Sequence, residues 1–291
     1  IEAGGTAKLV GRLLFTLTWT VGTFGKAVLQ PLFAMQQIDG AIDLEEPAML
    51  ALGFFLLALA ALRPRVYNAS RKAARRPVLI WTDAMYAAGA INGGAQAGFN
   101  AFLPDASGEA RKGRWIHGSV KVSQEFIREF LKPGKTYIGQ LELLAAVSVY
   151  YSIDPSELRD RKVIHWIDNT GALAAMVKGY ARKTDCARIV HAFSALVIEL
   201  GVSTWFEYVR TKANLADLPS REGLQGYEQF EDTEFAPALG STRVEMLLPP
   251  MHAWANPFGD WIDSARADKA KAKPARHKDA KRRGGKRKDR G

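Results

Sequence analysis

Two six-residue stretches share one pattern, VLIWTD at 78–83 and VIHWID at 163–168. Each is an apolar run with Trp two residues before Asp. In an extended strand, that spacing puts Trp81 and Asp83 on one face, and likewise Trp166 and Asp168. If the strands are parallel neighbours, both aspartates stand at their carboxyl ends, where open α/β sheets place their sites. Paired carboxylates repel, and a divalent cation relieves the repulsion. Two further acids join them. Glu142 sits among Leu141, Leu144 and Ala145 on an apolar helical pattern, where an unpaired charge is costly. Asp217 follows the last apolar strand, within NLADLPSR. Four hard oxygen donors without a Cys or His cluster favour Mg²⁺, with Mn²⁺ as an alternative, over zinc. Two such ions, ~3.5–4 Å apart, would clamp the attacking water and the leaving oxygen of a phosphodiester. Each acid also has an ordinary reading. Either Asp can cap the turn or helix that follows it, Glu142 can face water from the edge of its helix, and Asp217 can belong to turn chemistry.

The elements that must position these acids are readable from periodicity. Residues 1–75 have helical spacing, through Ala7, Val10, Leu14 and Leu17 and again through Met49, Leu52, Leu56, Leu59 and Leu62. Arg71, Lys72, Arg75 and Arg76 make a basic hinge. Strands are expected over 78–81, 97–103, 113–120, 163–167 and 205–209, and helices over 138–152, 170–178 and 185–200. A loop is expected around Pro155 and Asp160, and a short turn or helix near Asn214. Hairpins first and a β-α-β crossover later predict a mixed sheet in an α/β fold. Residues 227–263 are rich in Pro, Gly and aromatics and are expected to wrap the surface.

Charge is unevenly distributed. Residues 264–291 contain thirteen Lys and Arg against three acids, which equals the whole net charge of +10; the rest is balanced. Such a tail is expected to be disordered and to hold polyanions without sequence preference, or to serve as a nuclear-import signal or simply a solvated end. Cys186 is the only cysteine, which excludes an internal disulfide and a Cys-based zinc site and fits a reducing intracellular compartment, nucleus or cytoplasm. The apolar run 48–62 is shorter than the ~20 residues a bilayer core needs, so it reads as a core helix and no membrane association is expected. Ile1 in place of Met is expected of a piece of a longer reading frame.

WTDA around Asp83, GQLELLAA around Glu142, IDNTGALAAMVKG around Asp168 and NLADLPSR around Asp217 together resemble the ribonuclease H domains of retroelement reverse transcriptases. Tyrosine-recombinase retrotransposons of the DIRS kind are the nearest, with the ordered pattern TDA, EL.A, DN..A and N.AD.PSR. The resemblance spans roughly 77–223. It implies a ribonuclease H-like mixed five-stranded sheet flanked by helices over 76–226, preceded by a thumb- or connection-like segment over 1–75 and followed by an irregular extension over 227–263 and the basic tail. It further implies that Asp83, Glu142, Asp168 and Asp217 hold two Mg²⁺ ions and that the RNA strand of an RNA/DNA hybrid is cut, beside the polymerase region of a parent polyprotein. No YxDD-like motif occurs, so polymerisation is not expected of this chain. Relatives often carry a His before the last Asp; here the loop reads Arg210-Thr211-Lys212-Ala213, leaving Lys212 as the candidate substitute. Gln140 and Asn169 are candidates for 2′-hydroxyl contacts, and Lys178, Arg182 and Lys183 for phosphate contacts. The competing readings are another polynucleotidyl transferase or exonuclease on the same fold, an inactive relic that only binds nucleic acid or a polymerase, and a membrane protein built on 48–62.

Overall fold

The computed structural model describes residues 4–20, 25–36, 41, 43–61, 76–87, 94–105, 112–134, 136–221, 240–250 and 253. Residues 71–75 of the expected basic hinge and the whole 264–291 tail lie outside them.

Six strands form one sheet in the order β5-β4-β1-β2-β3-β6. They are β1 (Val78–Ala87), β2 (Gly94–Pro104), β3 (Gly113–Lys121), β4 (Lys162–Ile167), β5 (Ser203–Tyr208) and β6 (Thr242–Arg243). The first three run antiparallel, whereas β4 joins β1, and β5 joins β4, in parallel. The order and senses of β1–β5 are those of a ribonuclease H-like fold, and the class is α/β with a mixed sheet. The sheet has one more strand than the five expected. Two residues of the extension, Thr242 and Arg243, pair in parallel with Ile116 and His117 on the outer edge of β3. A two-residue strand in a polar, Pro-rich stretch leaves no periodicity to read.

The eight helices among the described residues are α1 (Gly5–Thr20), α2 (Gln30–Met35), α3 (Glu46–Ala61), α4 (Gln124–Phe130), α5 (Ile138–Ser152), α6 (Pro155–Leu158), α7 (Thr170–Lys178) and α8 (Thr184–Glu199). Two of these were unexpected. α4 starts at Ser123, whose hydroxyl accepts from Phe126 N at 3.1 Å. α6 occupies the expected loop, started by Asp154 as N-cap with Pro155 in its first turn. Both are too short for a repeating pattern, and their signal is the cap.

α5 is buried on every side from Gln140 to Tyr150, as a helix apolar all round must be. It packs against Val78, Ile80 and Ala84 of β1, Phe99 of β2 and the inner faces of α7 and α8, and forms the main core. A second core, built from Val10, Leu17, Leu29, Leu32, Met35, Ala51 and Phe55, joins α1–α3 to Ala187 of α8. No helix among the described residues is long and apolar enough to cross a membrane.

Candidate metal centre

The parallel register explains how the aspartates meet. Trp81 lies directly opposite Trp166, and Thr82 opposite Ile167. One step further along are Asp83, in the middle of β1, and Asp168, just past the carboxyl end of β4; β1 runs on to Ala87, so Asp83 does not stand at its strand's end as expected. The two indoles stack with centroids 4.5 Å apart and planes 10° from parallel, and Trp115 of β3 stacks on Trp81 at 5.7 Å. The repeated Trp is therefore a packing device.

Glu142 reaches the same place from the first turns of α5. One ligand oxygen from each of Asp83, Glu142 and Asp168 lies within 4.8 Å of the others. Glu142 is buried, contrary to the edge-of-helix reading, and its Oε2 has no hydrogen-bond partner. A buried carboxylate oxygen without a donor is expensive, so the site either keeps a proton there or receives a cation. Its surroundings push its pKa up to about 10, mainly through burial and then through Asp83 and Asp168; a bond from the Ala84 backbone opposes this. Asp83 is pushed up to about 7, again mainly by burial, against the lowering effect of the Ser220 hydroxyl. Asp168 is raised by burial, opposed by the side chains of Thr211 and Asn214.

Asp217 stands at the rim, outside that three-residue group but near enough for its charge to raise the other three. Its Oδ1 accepts from Arg221 Nη2 at 2.7 Å and Nε at 3.0 Å. The segment carrying it begins with a 3₁₀ turn, Thr211–Ala213, and continues as hydrogen-bonded turns to Arg221. It is clamped to the sheet by several contacts. Leu215 and Ala216 pack on Trp81. Asn214 Nδ2 donates to Thr82 O at 3.0 Å, and Gln96 Nε2 donates to Pro219 O at 3.0 Å. Ser220 Oγ donates to Asp83 Oδ2. Gly98, the cross-strand partner of Asp83, makes this approach possible: a Cβ there would meet Ser220 N at 2.3 Å.

Thr211, Asn214, Ser220 and Arg221 thus serve the site without having been singled out as site residues, although NLADLPSR contains three of them. Their roles depend on how the segment folds over the sheet, which no spacing shows. The expected nucleic-acid contacts fare differently. Gln140 is buried, and its amide nitrogen donates to Lys132 O at 3.0 Å and to Asp185 Oδ2 at 3.3 Å; that placement does not suit a 2′-hydroxyl contact. Asn169 caps α7, its Oδ1 accepting from Gly171 N and Ala172 N at 3.0 Å each, so the capping role considered for Asp168 falls to its neighbour. Lys178, Arg182, Lys183 and Lys212 are exposed. Burial pushes the Cys186 thiol up to about 12, which disfavours the reactive thiolate.

No protein-family model matches the chain, and no curated protein does. Among solved structures it is similar to a type 1 RNase H with the type 2 active-site motif. The identity is 13% and the TM-score 0.34, over 62% of this chain and 92% of that one.

Proposed function

We propose that residues 76–226 form a metal-dependent nuclease that hydrolyses the RNA strand of RNA/DNA hybrids, as the ribonuclease H part of a retroelement reverse transcriptase. The observation that carries this reading is the convergence of Asp83, Glu142 and Asp168 with the buried Glu142 Oε2 left unpartnered. The donor set fits hard divalent cations: all ligands are carboxylate oxygens, with no thiol or imidazole among them. Asp83, Glu142 and Asp168 would hold Mg²⁺ or Mn²⁺, with Asp217 completing a two-ion site from the rim.

Such ions, when bound, supply a nucleophilic water at neutral pH and neutralise the charge on the leaving oxygen. The chain's own residues do the rest. Ser220 fixes one Asp83 oxygen, and Thr211 and Asn214 fix Asp168, so the ligand lone pairs are oriented before loading. Burial and the neighbouring acids raise the pKa of Glu142 and Asp83, so both favour the protonated form, and holding a cation would require them to give those protons up. Lys178, Arg182, Lys183 and Lys212 offer exposed cations to the phosphates of the two strands. The retroelement setting, and a polymerase region as partner, rest on the ordered motifs alone.

The test is a gel assay of labelled RNA/DNA, RNA/RNA and DNA/DNA duplexes with and without Mg²⁺. The expected result is cleavage of the RNA strand in the hybrid alone, and only with Mg²⁺. Cleavage of DNA/DNA or metal-independent cutting would overturn it. Hybrid binding without cutting under any metal would favour the inactive-relic reading instead.

A further inference from the structure

Arg221 puts a guanidinium beside these carboxylates, and the proposed chemistry leaves it unused. Its guanidinium grips Asp217 through two nitrogens, and both bonds end on Oδ1. The pair is lopsided in exposure: the Arg221 side chain is 58% exposed and that of Asp217 23%. The guanidinium also lies close enough for its charge to act on Asp83, lowering its pKa against the raising effect of burial. It is anchored at its root, because Arg221 N donates to Leu218 O at 3.0 Å in the turn that Ser220 ties to Asp83. A planar fork of donors on a long exposed stem, fixed at its base beside a cluster of carboxylates, is what bidentate phosphate recognition needs.

Taking the carboxylates as the metal site proposed above, we infer that Arg221 is a substrate-binding residue that exchanges partners: it neutralises Asp217 while the site is empty, and gives that carboxylate up when ions load, turning its guanidinium to a phosphate oxygen of the hybrid beside the scissile bond. The exchange keeps charge balanced. In the empty site Arg221 offsets one of four crowded acids. In the loaded site the ions offset all four, and the freed guanidinium meets the phosphate's negative charge. The movement needed is a rotation of an exposed side chain, which the packed backbone of 214–221 does not oppose.

This gives Arg221 opposite effects on the two ligands, which a plain surface ion pair would not. With Arg221→Ala, Asp217 loses its competitor, so Mn²⁺ alone should bind tighter by about two- to fivefold, the range an exposed pair supports. The KM for hybrid in saturating Mg²⁺ should rise about tenfold or more, since a charge-assisted fork is lost. Arg221→Lys keeps the charge but not the fork. It should leave Mn²⁺ binding near wild type and recover only part of the hybrid affinity. The experiment follows Mn²⁺-induced thermal shifts of the full chain, without nucleic acid, alongside steady-state cleavage for the three proteins. Weaker Mn²⁺ binding in Arg221→Ala, or an unchanged KM, would overturn the exchange and leave a structural ion pair. A wild-type protein with no Mn²⁺-induced shift at all would remove the metal-site reading itself, and the exchange with it.

Discussion

At the scale of single residues, the balance of charge at Glu142 decides how the empty site behaves. Glu142 and Asp83 have folded-state pKa values of about 10 and about 7, above their ordinary values of 4.5 and 3.8. Between the ordinary and raised values the native protein holds protons that the unfolded chain has lost. Stability without metal therefore falls as pH rises from about 4, through about 7 for Asp83 and on towards about 10 for Glu142. Glu142→Gln removes the larger share of that cost. In EDTA at pH 8 it should raise the melting temperature by a few degrees, a gain of ~1–2 kcal/mol, and the gain should fade as pH falls towards 4.5. Thermal melts across that range check it; a lower melting temperature at pH 8 would mean that the carboxylate is already compensated. Asp83 and Asp168 were singled out in the sequence because Trp-x-Asp occurs twice on apolar runs, whereas Glu142 and Asp217 stood out only through their neighbours. What the sequence leaves open is which atoms lack partners. The Oε2 of Glu142 is unpartnered because of how α5 lies in the core, and Gln140, two residues earlier, is buried there too and tied to Asp185.

At the scale of elements, three of them carry the three converging acids, and a buried hydrogen-bonded chain ties the same three together. Tyr150 OH of α5 meets His165 Nδ1 of β4 at 3.1 Å, and His165 Nε2 meets Thr82 Oγ1 of β1 at 2.8 Å. Burial holds the imidazole neutral, its pKa down to about 3, so the chain joins neutral groups at all ordinary pH. Tyr150→Phe leaves a ring nitrogen of His165 without its partner and should cost ~1–3 kcal/mol in urea unfolding; a cost under a few tenths would show that water replaces the hydroxyl. The close crossing at Gly98 makes a second prediction. Gly98→Ala would drive a Cβ into the Pro219–Ser220 backbone. It should cost ~1–3 kcal/mol, the usual penalty of overpacking, and should weaken the Mn²⁺-induced thermal shift by displacing Ser220 from Asp83. A native-like melt together with a native-like shift would show that the 214–221 segment yields at no cost. The sequence showed β1 and β4 through short apolar runs and α5 through its helical periodicity. It could not show the tie between them, since His165 and Tyr150 read as one more polar residue in a strand and one more aromatic in a helix.

At the scale of the whole molecule, the proposed function would divide between a sheet that builds the carboxylate site and charged surfaces that hold the polyanion. Five strands and a mixed sheet were legible because hairpin turns and a β-α-β crossover leave different spacings; their order in the sheet comes from the structure. The sixth strand was not, since two residues on an edge carry no pattern. Charge is the other whole-molecule property. The +10 of the chain resides in 264–291, while the rest balances to zero. Deleting that tail should weaken hybrid binding at low salt and flatten the slope of log K against log salt, since fewer counterions are released on binding. Single-turnover cleavage at saturating hybrid should stay near wild type, because the carboxylates are untouched. Equal salt slopes for the two proteins would mean that the tail does not touch the substrate. The central claim of the proposal is more direct than any of these: the carboxylates of Asp83, Glu142 and Asp168 make a divalent-cation site. A crystal grown with Mn²⁺ tests it by anomalous scattering. The account predicts a peak bounded by Asp83, Glu142 and Asp168 in the wild-type protein, lost in Glu142→Gln; well-ordered crystals of the wild type in saturating Mn²⁺ with no peak there would contradict it.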